Sequence, residues 1–139
     1  MKKYNVGWGL TNLCNMNCKF CYSKETRNKT KDATIDEWIK FIDQNHEYID
    51  SINYGTGENA ISDDFFKFIS YVRRKYPNIT QSLTSNGYIY ERVSKNEELY
   101  KIYKECIDEI DVSLDFPIKE NHNYFRGQNK AYDWAINTL

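Results

Sequence analysis

The stretch Leu13-Cys14-Asn15-Met16-Asn17-Cys18-Lys19-Phe20-Cys21-Tyr22 decides how this chain reads. Its cysteines are spaced C-x3-C-x2-C and follow the first apolar segment. Thiolates are soft ligands and suit iron–sulfur clusters. The common ferredoxin arrangements supply four cysteines, one to each iron. A local set of three would leave one iron of a cubane cluster open, and an open position is where a metal centre does chemistry. The structural alternative is a zinc knuckle with His46, His122 or Cys106 as fourth ligand. No second ligand pair has zinc-finger spacing, which counts against it.

On either side of this run, short apolar strands alternate with amphipathic helices. Tyr4, Val6, Trp8 and Leu10 alternate with smaller residues and predict a first strand. Thr34-Ile35-Asp36-Glu37 reads as a capping box, followed by Ile35, Trp38, Ile39, Ile42 and Ile49 at helical spacing. A second strand is expected near Ile52 to Tyr54. Ser62 caps a helix whose apolar stripe is Phe65, Ile69, Val72 and Tyr76, stopped by Pro77-Asn78. Ile79 to Thr84 predicts a third strand. Leu99, Ile102, Tyr103 and Cys106 share one face of a third helix, which makes Cys106 a core residue. A fourth strand is expected from Ile110 to Asp115, with Asp111, Ser113 and Asp115 on its polar face. A last helix begins near Asn129.

Repeated strand–helix units imply an α/β fold of parallel strands, either an open doubly wound sheet or part of a barrel. The barrel is favoured because each polar motif follows a strand directly, where barrels build their sites. The 139 residues suffice for one domain. A net charge of −1 gives no footprint for nucleic acid or a membrane surface. With 12 Tyr, 7 Phe and 3 Trp the chain expects a folded core. The start lacks an apolar signal region, and no apolar run has membrane-spanning length, so a cytoplasmic location is expected. In that reducing compartment the four cysteines read as ligands or buried thiols, not disulfides.

The cysteine run, with Phe20 just before its last cysteine, resembles the cluster loop of the radical S-adenosylmethionine (SAM) superfamily. The resemblance continues in family order. Gly55-Thr56-Gly57-Glu58 is similar to the family's Gly-Gly-Glu motif, with Thr56 in place of a glycine and Asn59 where proline is frequent. Thr84-Ser85-Asn86-Gly87 matches a Thr-Asn-Gly segment, although Asn-Gly is also a plain turn signal. Ser113-Leu114-Asp115 and His122…Arg126-Gly127 resemble stretches of the peptide- and protein-modifying members.

What the resemblance implies is specific. Cys14, Cys18 and Cys21 would ligate a [4Fe-4S] cluster whose open iron is chelated by SAM. Phe20 would lie against the adenine and Glu58, with Gly57, would take the amino group. Ser113 would contact the ribose, Arg126 would reach the carboxylate, and Asn86 is a weaker contact. The chemistry would be reductive cleavage of SAM to a 5′-deoxyadenosyl radical that abstracts hydrogen from a substrate, here a ribosomal peptide, with flavodoxin or ferredoxin as electron donor. A small-metabolite substrate, or an iron–sulfur binding module without activity of its own, stays open beside it. The family's partial TIM-like barrel has about six strand–helix units, and this chain reads as about four. Residues 1–139 are therefore expected to be the N-terminal part of the core domain, truncated or split, with a second chain possible as its complement.

Overall fold

The structure is a computed structural model that describes residues 2–27, 29 and 31–139. Four parallel strands form one sheet in the order β1 (Tyr4–Trp8), β2 (Ile49–Tyr54), β3 (Thr80–Ser85), β4 (Glu109–Val112). Six helices accompany them: α1 (Ile35–Asn45), α2 (Asp63–Lys75), α3 (Tyr88–Val93), α4 (Glu97–Cys106), α5 (Lys119–Arg126) and α6 (Ala131–Thr138). The strand order never reverses. A doubly wound sheet reverses its order at a switch point, whereas successive right-handed crossovers without reversal wind a barrel wall. The α/β expectation therefore resolves to an arc of a barrel.

The two sides of this arc differ as their sequence alternates. On the helix-covered side, Ile52, Tyr54 and Leu83 are buried against Trp38 and Ile42 of α1 and Phe65, Phe68, Ile69 and Val72 of α2. One polar side chain enters this core, Gln81. It accepts from the Tyr54 hydroxyl at 2.6 Å and donates to the carbonyls of Ile69 and Cys106 at 3.1 Å, so its burial leaves nothing unpaired. The opposite side is a polar ladder. Ser51 Oγ donates to Asn5 Oδ1 at 2.9 Å, Asn53 Nδ2 to Ser82 Oγ at 3.1 Å, and Thr84 Oγ1 to Asn53 Oδ1 at 3.1 Å.

Local chemistry sets the helix ends. Thr34 and Glu37 form the expected capping box, with the Thr34 N–H donating to Glu37 at 2.7 Å and the Glu37 N–H to Thr34 at 3.3 Å. Ser62 caps α2. Ile49 does not extend α1. A 3-10 turn over His46–Tyr48 ends the helix, and Ile49 opens β2. The fourth strand stops at Val112, short of the expected Asp115, and Leu114 beyond it is exposed. Cys106 lies in the main core, as expected. No helix among the described residues is long and apolar enough to cross a membrane.

Candidate functional site

All four loops at the C-terminal ends of the strands meet in one cleft. Cys14, Cys18, Phe20, Cys21 and Arg27 come from the loop after β1, Gly55 and Gly57 from that after β2. Thr84, Ser85 and Asn86 come from the end of β3, and Ser113 and Arg126 from the segment after β4. Parallel α/β folds build sites there because the loops at that end converge.

The cysteine loop is held by its neighbours. The Glu58 N–H donates to the Leu13 carbonyl at 2.8 Å. Close approach there requires Gly57, at φ +64°, because a Cβ would sit 2.5 Å from the Leu13 carbonyl oxygen. From the other side, the carbonyls of Arg126 and Phe125 at the end of α5 accept from the N–H groups of Asn17 and Lys19 at 3.2 and 3.0 Å. Asp32 accepts from the Asn12 N–H at 2.9 Å and from the Thr11 hydroxyl. Met16 and Cys18 pack with Ala131 and Trp134 of α6 into a second small core.

The thiols have polar company. Asn86 Nδ2 lies 3.8 Å from Cys14 Sγ and donates to Asn15 Oδ1 at 3.0 Å. Arg126 Nη1 lies 3.8 Å from Cys18 Sγ, and Ser23 Oγ 3.2 Å from Cys21 Sγ. Burial pushes the Cys14 thiol up, with Arg27 pulling partly against it. At Cys21 burial also pushes up, but hydrogen bonding to Ser23 and the Arg27 guanidinium outweigh it and hold the thiol below its usual range.

Among the described residues no three His, Cys, Asp or Glu side chains gather as one metal ion requires. A cubane cluster asks something different, one thiolate for each separate iron. Three thiols spread around one cleft, with N–H donors beside the sulfurs, fit that demand. The zinc alternative loses its fourth ligands. His46 stacks on Tyr76 at 4.3 Å, Cys106 is in the main core, and His122 is fully buried. None of these three lines the cleft.

Of the candidate SAM contacts, Phe20, Gly57, Asn86, Ser113 and Arg126 line the cleft. Phe20 is half exposed beneath the Arg126 guanidinium, 5.3 Å from its ring centre. Glu58 sits differently from these five. Its side chain is fully buried behind the cleft wall and does not line it. Its carboxylate accepts from the Ser85 hydroxyl at 3.1 Å and the Asn86 N–H at 2.8 Å. Glu58 therefore ties the loops after β2 and β3 together.

Burial pushes the Glu58 pKa from 4.5 up to about 7, against the hydrogen bonds that pull it down. Between those two values the folded protein keeps a proton that the unfolded chain has released. The stability this group contributes is thus full below about pH 4.5 and is lost as pH rises through 7. Glu58→Gln keeps the shape, with its carbonyl facing the Asn86 N–H and its amide facing Ser85. It is expected to stabilise the fold at pH 8 by on the order of 1–3 kcal/mol and to leave pH 4 nearly unchanged. Urea unfolding at both pH values checks this; equal destabilisation at both would contradict it.

The sequence did not show two features of the site, the pairing of Asp115 with Arg126 and the place of Arg27. Asp115 Oδ2 accepts from Arg126 Nε at 2.7 Å and Nη2 at 2.6 Å, so one edge of the guanidinium is already taken. His122 stands behind this pair, its Nδ1 accepting from the Asp115 N–H at 3.3 Å. The second is Arg27, buried beside the cysteines although it lies in the polar run Ser23-Lys24-Glu25-Thr26-Arg27. Nothing in that run sets it apart from a surface cation; only the folded loop does.

Comparison with known proteins settles the family. The model of the radical SAM superfamily matches residues 8–139. The chain belongs to the radical SAM superfamily. That family uses a [4Fe-4S] cluster and SAM. The chain is 29% identical over 147 residues to the Fe-coproporphyrin III synthase of Methanosarcina barkeri, covering 99% of this chain and 33% of that one. It is 25% identical over 131 residues to the antilisterial bacteriocin subtilosin biosynthesis protein AlbA of Bacillus subtilis, covering 94% and 28%. Among solved structures it is similar to Streptococcus suis SuiB bound to the precursor peptide SuiA, with TM-score 0.74 and 14% identity over 93% of this chain and 28% of that one. SuiB has also been solved with SAM bound, at TM-score 0.71 and 13% identity over 94% and 30%. These likenesses confirm the radical SAM arc of the fold. The chain spans about a third of the length of the curated relatives it matches.

Proposed function

We propose that residues 1–139 form the cluster-binding part of a radical SAM core domain, with Cys14, Cys18 and Cys21 as the ligands of a [4Fe-4S] cluster. The observation that carries this is the meeting of three thiols with the loops of all four strands in one cleft. When bound, the cluster supplies one electron to SAM, whose cleavage yields a 5′-deoxyadenosyl radical able to take a hydrogen atom from substrate. The chain's own residues bind and shield. The exposed face of Phe20 offers an apolar surface to the adenine. Gly57, Asn86 and Ser113 present small or hydrogen-bonding groups along the wall. Arg126, oriented by Asp115 and His122, offers its remaining Nη1 edge to a carboxylate. Glu58 keeps the Gly57 and Asn86 loops together.

For the substrate, the peptide reading has the support of AlbA, named for a bacteriocin, and of SuiB, solved with a precursor peptide. The Methanosarcina Fe-coproporphyrin III synthase supports a small-molecule reading instead. We favour a peptide, because the His…Arg-Gly stretch that resembles the peptide modifiers forms α5 and the clamp on the cysteine loop. The activity belongs in a reducing cytoplasm, with a flavodoxin- or ferredoxin-type donor and with further barrel units from the same or a second chain. The test is anaerobic incubation of the reconstituted protein with SAM, dithionite and short peptides encoded beside its gene, followed by mass spectrometry. A mass change in one peptide, with release of 5′-deoxyadenosine, is expected. Release of 5′-deoxyadenosine without a change in any peptide would sink the peptide reading and leave the small-molecule one.

A further inference from the structure

Among the described residues two cations line the cleft, and they are not in the same state. Arg126 is paired through two N–H groups with the Asp115 carboxylate, so its charge is largely compensated. Arg27 is only 8% exposed. Its Nη1 donates to the Met16 carbonyl, inside the cysteine loop itself. Its Nη2 is buried and has no hydrogen-bond partner among the described residues. A buried cation without its anion is costly, and folded proteins keep such groups where negative charge meets them. In this cleft the negative charge comes from the three thiolates and what they hold.

We propose that Arg27 is an electrostatic positioning residue for the cluster, its uncompensated guanidinium facing the thiolate set and easing the addition of an electron there. This rests on the reading of Cys14, Cys18 and Cys21 as cluster ligands. The step is a one-electron transfer from an external donor, in which no bond forms or breaks. It adds one negative charge inside a poorly solvated site. Net charge and hydrogen bonds at the sulfurs are among the levers that set such potentials. A fixed positive charge nearby favours the reduced state, more strongly as the surroundings exclude water. Arg126 also reaches a sulfur, with Nη1 3.8 Å from Cys18 Sγ, but its pairing with Asp115 weakens the same effect there. The bond to Met16 gives Arg27 a second task, fixing the turn between Cys14 and Cys18.

Anaerobic redox titration by electron paramagnetic resonance, on the reconstituted full chain, tests this with wild type, Arg27→Lys and Arg27→Gln. Binding of SAM to each is measured in parallel. The Gln variant keeps a polar N–H donor, on a shorter side chain, but loses the charge. Its ratio of reduced to oxidised cluster at a fixed potential is expected to fall at least about tenfold, equivalent to ~59 mV for one electron. The Lys variant should stay close to wild type. Failure of Gln alone to take up a cluster, with Lys loading normally, would also support a need for charge. An unchanged potential in the Gln variant overturns the proposal. If SAM binding weakens at the same time, Arg27 serves that ligand's carboxylate instead. Loss of the cluster in both variants overturns it too, and makes Arg27 a strut for the loop. A wild-type protein that takes up no cluster removes the underlying reading, a result distinct from all of these.

Discussion

Cys18→Ser is expected to lose iron. After anaerobic reconstitution with iron and sulfide, wild type should hold a cluster, and the variant should retain less than about a tenth of its iron. Losing a group that only orients a metal ligand commonly costs about 10–100-fold in metal affinity, and removing the ligand itself costs more. Serine is nearly the same size, so packing against Met16, Ala131 and Trp134 is kept. What changes is the donor, from a soft thiolate to a hard hydroxyl that stays protonated at neutral pH. Cys14→Ser and Cys21→Ser should behave alike. Cys106→Ser is the control, since that thiol lies in the main core away from the cleft, and its iron content should match wild type. Iron retained in Cys18→Ser but lost in Cys106→Ser would reverse the assignment.

Gly57→Ala carries a large expected cost to stability. The residue has φ +64°, and an added Cβ would lie 2.5 Å from the Leu13 carbonyl oxygen and 2.6 Å from that of Thr11. Both contacts are backbone, so no flexible side chain can swing aside. The left-handed conformation costs about 1–2 kcal/mol for a residue with a Cβ, and overpacking about 1–3 kcal/mol more. The loss is therefore expected to be roughly 2–5 kcal/mol by chemical denaturation. It should come with weaker cluster retention, because relieving the clash moves the start of the cysteine loop. Gly7→Ala is the control: nothing lies within 4 Å of the Cβ it would add. If Gly57→Ala were as stable as Gly7→Ala, the described packing of these loops would be wrong.

Most elements were legible in the sequence, and two short helices were not. Helices α1, α2 and α4 announce themselves by caps and apolar stripes that outlast local noise. Helix α3 has six residues, and Tyr88-Ile89-Tyr90 has strand-like composition. Helix α5 has eight residues and no side-chain cap. Helices this short do not stand alone in water, so tertiary contacts decide them. In α5 these include the backbone bonds to Asn17 and Lys19, which no local pattern encodes. The site divides in the same way. Gly57, Asn86 and Ser113 lie on motifs that directly follow strands, and that position brings them to the cleft. That the Glu58 carboxylate bonds to Ser85 and Asn86 depends on the loops after β2 and β3 meeting, which the motif itself does not show. Arg27 and the Asp115–Arg126 pair depend on chain segments meeting in space, which spacing along the chain does not show.

The most direct test of the cluster reading is electron paramagnetic resonance on anaerobically reconstituted, dithionite-reduced protein, with and without SAM. The account predicts a reduced [4Fe-4S] signal from Cys14, Cys18 and Cys21 that changes shape when SAM is added. A protein that takes up no cluster, or a cluster signal indifferent to SAM, would contradict it.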